Sequence, residues 1–168
     1  MNNAITLNSI RFIVLVLVQV LLVNNINFMG YINPYIYILF IILYPINNNR
    51  MLFLFLSFLL GLSVDLFLDS GGVHAAASVF IAFTRPLFLK FAFGMTYEHQ
   101  TVKINTSDIG QRLTYFMLII VVHHLLLFTL EVFNTSKVLL ILKKTLFSSI
   151  FTVILCVLIT VLFSRKSK

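Results

Sequence analysis

The chain has 168 residues and a formal charge of +7, yet 60% of it is apolar and only 10% is charged, against roughly a quarter in a soluble domain. So little polar side chain cannot clothe a water-facing surface. This excludes a soluble globular domain and points to an all-α, polytopic membrane protein whose length suits one compact bundle. The Lys and Arg residues stand at the ends of apolar runs rather than in a patch, which argues against nucleic-acid binding, and the single cysteine, Cys156, excludes an intrachain disulfide and any zinc-ligand spacing.

In chain order the apolar runs predict six spanning helices, each needing about 20 residues. The first is expected over 9–28. Gln19 interrupts it, and "NNINFMG" follows where a cleaved leader would carry small residues, so it is read as retained. The second is expected over 31–46, with Pro34 in its first turn, where a missing N–H costs little. Asn47–Arg50 is a polar turn, and the third helix is expected over 51–68. Asp69–Gly72, "DSGG", is the next turn, because Gly supplies the backbone angles of a tight reversal. The fourth helix is expected over 73–93, with Arg85-Pro86 in its second half. Residues 94–112 form a polar loop, and the last two helices are expected over 113–133 and 145–163, with Lys143 and Lys144 at the entrance of the sixth. No internal repeat stands out.

Six spans put both termini on one side. Arg11, Arg50, Lys90, Lys103, Arg112, Arg165, Lys166 and Lys168 belong to that side, and Lys137, Lys143 and Lys144 to the other. Eight against three places the termini and the 94–112 loop in the cytoplasm.

This topology sets the depth of the acids. At 1.5 Å per residue from Met51, Asp65 lies about 21 Å up and Asp69 about 27 Å up, in a core about 30 Å thick. Asp69 can face water. Asp65 cannot, and a charge there costs about 2.5–3.5 kcal/mol on insertion scales. It needs a partner on the outer side, and the candidates are His74, Lys143 and Lys144. A structural tie between helices is the leading reading, ahead of a proton- or ligand-coupled role and a partner contact. Arg85 lies about 9 Å or more below Asp65 and is expected to snorkel to the cytoplasmic interface.

Gly61 shares a face with Asp65, and a glycine lets a second backbone come close. Ala75, Ala76 and Ala77 slim the outer end of the fourth helix. Gly61, Asp65, Gly71, Gly72, His74 and Ala75 are therefore the candidate helix-packing or partner-contact residues, and Arg85, Lys103 and Arg112 the candidate cytoplasmic contacts. His123 and His124 are adjacent and point about 100° apart on a helix, so they cannot share one metal; internal hydrogen bonding is expected. No catalytic motif is present, so neither an enzyme nor a cofactor is expected.

The order "QVLLVNNINFMGYINP", a hydrophobic pair, then "GLSVDLFLDSGGVHAAASVFIAFTRP" resembles the rod shape-determining MreD family in its Bacteroidetes-type form. The family's Gly-Leu-x-x-Asp, glycine and small-residue pattern maps onto Gly61, Leu62, Asp65, Gly71 or Gly72, and Ala75 to Ala77; Gln19 and Pro34 match its N-terminal portion. The resemblance implies a non-catalytic scaffold of the cell-elongation machinery in the bacterial inner membrane. It would partner an MreC-like bitopic protein and, through it, an MreB-like filament and the peptidoglycan polymerase complex. The alternative is the substrate-binding membrane subunit of an energy-coupling-factor vitamin transporter, a similar fold. Its first helix carries an Ala-x-x-x-Ala-type motif, which "RFIVLVLVQVLLV" lacks.

Overall fold

The computed structural model describes residues 2–26, 32–46, 49–98, 104 and 107–162, and among these every regular element is helical. The helices are α1 (Asn2–Leu21), α2 (Ile38–Leu43), α3 (Arg50–Leu68), α4 (Val73–Phe93), α5 (Met95–Glu98), α6 (Ile109–Val132) and α7 (Val138–Leu162), with short 3-10 turns at Val23–Asn25 and Thr135–Lys137. Among the described residues α3, α4, α6 and α7 are each long and apolar enough to cross a membrane, and α1 carries the shorter apolar stretch Thr6–Leu21. The chain is thus built as a membrane helical bundle. Exposed Leu, Ile, Phe and Val line the outside of these helices, the surface expected of a protein solvated by lipid tails.

The helix ends follow from local chemistry. Asn49 opens α3 by accepting from the amides of Met51 and Leu52, and Asp108 opens α6 by accepting from that of Gly110. Asp69 and Phe133 close α3 and α6 in the left-handed region, at φ 53° and 40°. Gly71 and Gly72 turn the chain into α4 at φ 67° and 93°, with open space where a Cβ would stand. Their role in this structure is conformational rather than close packing. α3 packs on α4, α4 on α6 and α6 on α7, while α1 lies on α3, and α2 is enclosed by α1, α4 and α6.

The expected second helix over 31–46 is corrected. Helix is confined to Ile38–Leu43, about 9 Å long. Pro45 holds Tyr44 in an extended conformation (φ −60°, ψ 138°), because a residue before proline avoids the helical region. On the other side of α2 the backbone around Pro34 is non-helical. Yet Tyr37, Ile38, Phe40, Ile41 and Ile42 are almost fully buried. The segment runs back beside α1, from the level of Gln19 to that of Arg11, as a broken helix in the middle of the bundle. Unwound backbone at membrane depth is tolerated only where protein or a cavity surrounds it. The 94–112 stretch is also partly helical, since it holds α5 and the first turn of α6, and α7 begins seven residues before the expected Thr145.

Candidate functional site

Asp65 leaves the last turn of α3 and reaches across to α4. Its Oδ1 accepts from the Ser70 hydroxyl (2.5 Å), the His74 amide (3.0 Å) and His74 Nδ1 (3.0 Å), and its Oδ2 accepts from the Ala75 amide (2.8 Å). An ionised carboxylate only accepts, so His74 carries its proton on Nδ1. The residue at the N-cap of α4 is Gly72, which has no side chain to cap with. Asp65 supplies the cap from the neighbouring helix, placing a negative group where the first-turn amides and the helix dipole favour one. The carboxylate that looked costly in hydrocarbon is 5% exposed and bonded to four donors.

One turn below, Gly61 lets the two backbones touch. A Cβ built there would lie 2.6 Å from the Ala75 amide nitrogen and 2.5 Å from its Cα, and would also strike the His74 carbonyl. Four sequence candidates, Gly61, Asp65, His74 and Ala75, thus meet at one crossing, with Gly71 and Gly72 forming the turn above it. Asp69 is exposed. Of the other candidate partners for Asp65, Lys144 pairs with Glu131 (2.7 Å) and lies over the Phe128 ring, and Lys143 is exposed.

Behind this crossing the broken segment is tied from both sides. Gln19 is fully buried on α1. Its Oε1 accepts from the Ile36 (2.8 Å) and Tyr37 (3.4 Å) amides, and its Nε2 donates to the Pro34 carbonyl (3.2 Å) and to Asn24 Oδ1 (2.8 Å). All four hydrogen-bonding valences of the amide are used. From α7, Thr152 Oγ1 accepts the Tyr35 amide (3.0 Å) and donates to His124 Nε2 (3.2 Å). His124 Nδ1 then donates to the Ile120 carbonyl (2.7 Å), which fixes its tautomer. His123 Nε2 meets the Tyr37 hydroxyl at 2.8 Å. The rings of Tyr35, Tyr37, His74, His123 and His124 form one cluster with centroids 5.3–6.2 Å apart. Within or beside it, His74 Nε2, Ser78 Oγ and His123 Nδ1 are buried without a hydrogen-bond partner.

Arg85 corrects a second expectation. It is 3% exposed and turns inward instead of snorkelling to the interface. Its Nε donates to the Tyr115 hydroxyl (2.8 Å), and its Nη2 donates to the carbonyls of Ile42 (3.1 Å) and Tyr44 (2.5 Å). The guanidinium stands at the C-terminal end of α2, where the helix leaves unpaired carbonyls and a partial negative charge, and 5.2 Å from the Phe53 ring centroid. Arg11 adds a bond to the Leu43 carbonyl (3.3 Å). Arg112 is partly buried in the first turn of α6, and Lys103 lies outside the described residues.

The bundle therefore carries two polar layers, Asp65–His74 with the Tyr/His cluster towards one end and Arg85–Tyr115 towards the other. Both are spent mainly on holding backbone in place. Among the described residues no three His, Cys, Asp or Glu side chains are grouped to hold a metal. The sequence reading missed the tie between Gln19 and the broken segment; its signal was a lone amide in an apolar helix followed by two prolines. No family model matches this chain, and no curated protein or solved structure matches it either.

Proposed function

We propose that this protein is a non-catalytic scaffold of the bacterial cell-elongation machinery, seated in the inner membrane with both termini in the cytoplasm. In this reading it links an MreC-like bitopic protein, and through it an MreB-like filament and the peptidoglycan polymerase complex. One observation carries the reading: the Asp65 carboxylate is used up in capping α4 at the Gly61 crossing. That is a rigidifying device, suited to presenting a fixed surface. The Gly61, Asp65 and Ala75 positions are also those through which the sequence resembles the MreD family.

The alternative, a vitamin-binding transporter subunit, needs room for a ligand between the helices. Here the middle of the bundle is filled by Tyr37, Ile38, Phe40, Ile41 and Ile42 of the broken segment, which favours the scaffold. Affinity purification of the full chain from its own membranes in mild detergent tests the reading. Recovery of an MreC-like single-span protein is expected. Recovery of an ATPase pair, or nanomolar binding of a vitamin, would replace the scaffold with the transporter subunit.

A further inference from the structure

The α3–α4 crossing, where Gly61 meets Ala75, sets a common level for the two helices. At 1.5 Å per residue, Arg50 lies about 16 Å below Gly61 on α3, and Arg85 about 15 Å below Ala75 on α4. The two therefore stand at one depth. Arg11 joins them, because it bonds the Leu43 carbonyl while Arg85 bonds those of Ile42 and Tyr44. Asp69, which closes α3, lies about 28 Å above Arg50, close to the roughly 30 Å of a hydrocarbon core. The three guanidiniums thus stand at one edge of the hydrocarbon, the height at which lipid phosphates begin.

The two ends of the bundle differ in charge balance. At the Asp69 end acids meet bases, as Asp65 holds His74 and Glu131 holds Lys144. At the other end no Asp or Glu among the described side chains bonds any of the three guanidiniums. Every partner they have is neutral: an amide oxygen, a phenol, four backbone carbonyls and two aromatic rings. Arg85 is 3% exposed, so its charge acts through protein rather than water and is poorly screened. Arg50 is exposed and Arg11 only partly buried, so an anion from the bilayer reaches both. Each uses a single terminal nitrogen, Nη2 of Arg50 and Nη1 of Arg11, and a guanidinium fork matches a phosphate through two nitrogens at once. A phospholipid bilayer supplies phosphates at this height without any further partner.

We propose that the Arg11–Arg50–Arg85 layer seats anionic phospholipid headgroups, their phosphates meeting Arg50 and Arg11 while buried Arg85 adds fixed positive charge behind them. This needs neither a protein partner nor a particular orientation of the chain, so it and the scaffold reading can fail separately. The test takes the full chain in mild detergent with phosphatidylglycerol or zwitterionic phosphatidylcholine and counts the retained lipid by native mass spectrometry. Phosphatidylglycerol is expected to be retained at least about fivefold better. Arg50→Gln should lower that preference about fivefold, the worth of one basic residue at an anionic surface, and Arg11→Gln should act alike. Arg50→Lys should keep most of it, and Lys143→Gln, which removes an exposed cation at the opposite end, should leave it unchanged. Thermal unfolding gives a second readout: phosphatidylglycerol should raise the midpoint of the parent but not that of the Arg11→Gln, Arg50→Gln double variant. Equal retention of the two lipids, a preference indifferent to both arginine substitutions, an equal loss in Lys143→Gln, or the same midpoint shift from inorganic phosphate alone would each overturn it.

Discussion

Adding one methyl group at Gly61 is the smallest change that strikes the α3–α4 crossing. In an ordinary helix interior Gly→Ala stabilises by about 0.5–1 kcal/mol. Here the new Cβ would stand 2.5 Å from Ala75 Cα and 2.6 Å from its amide nitrogen, where ordinary contact lies at roughly 3.5–4.0 Å. Both obstacles are backbone, so no rotamer relieves them, and the helices must part by about 1 Å. That parting would stretch the amide bonds of His74 and Ala75 to Asp65, now 3.0 and 2.8 Å, past the distance at which they hold. Overpacking and weakened charge-assisted bonds together give about 2–4 kcal/mol of destabilisation. Reversible unfolding in mixed micelles measures it, and a cycle with Asp65→Ala tests its origin: once the carboxylate is gone, Gly61→Ala should cost at least about 0.5 kcal/mol less. A neutral or stabilising Gly61→Ala, or penalties that simply add, would refute the reasoning.

Asp65→Ala should cost about 1–3 kcal/mol by the same assay. Asp65→Asn should fall between it and the parent, because one oxygen still accepts while the new NH₂ faces a donor. Gln19→Leu leaves the Ile36 amide and the Pro34 carbonyl unpaired, so a loss of at least about 2 kcal/mol is expected, together with faster hydrogen exchange at Ile36. Arg85→Met should be similarly costly, and adding Tyr115→Phe should cost less than that change does alone, since the bond from Arg85 Nε to the Tyr115 hydroxyl is already lost. Lys144→Ala breaks an exposed pair with Glu131 and should stay within about 1 kcal/mol.

Much of this arrangement was legible from residue order. The third and fourth helices, expected over 51–68 and 73–93, lie at Arg50–Leu68 and Val73–Phe93, because apolar runs bounded by "NNNR" and "DSGG" leave little choice. The depth of Asp65 and the shared face with Gly61 pointed to a tie, and His74 was among its candidate partners. That the carboxylate caps α4 was not legible, since a cap is normally sought beside its own helix. The break in the second helix is not legible because Pro34 fits a first helical turn, while the effect of Pro45 falls on Tyr44 before it. The side chains that stabilise the unwound backbone, Gln19 and Thr152, lie far from it in sequence on either side. The inward turn of Arg85 is not legible for the same reason, as its acceptors are backbone carbonyls left unpaired where α2 ends. Lys143 and Lys144 read as a helix boundary, yet α7 runs through them, with Lys144 held by Glu131.

On the proposed scaffold function, the Asp65 crossing is what fixes the surface presented to a partner. Replacing the parent with Asp65→Asn in its own cells, while measuring membrane level, recovery of the MreC-like partner and cell shape together, tests it most directly. Insertion near the parent level, reduced recovery of the partner and loss of rod shape are expected. Normal rods with undiminished recovery would contradict it.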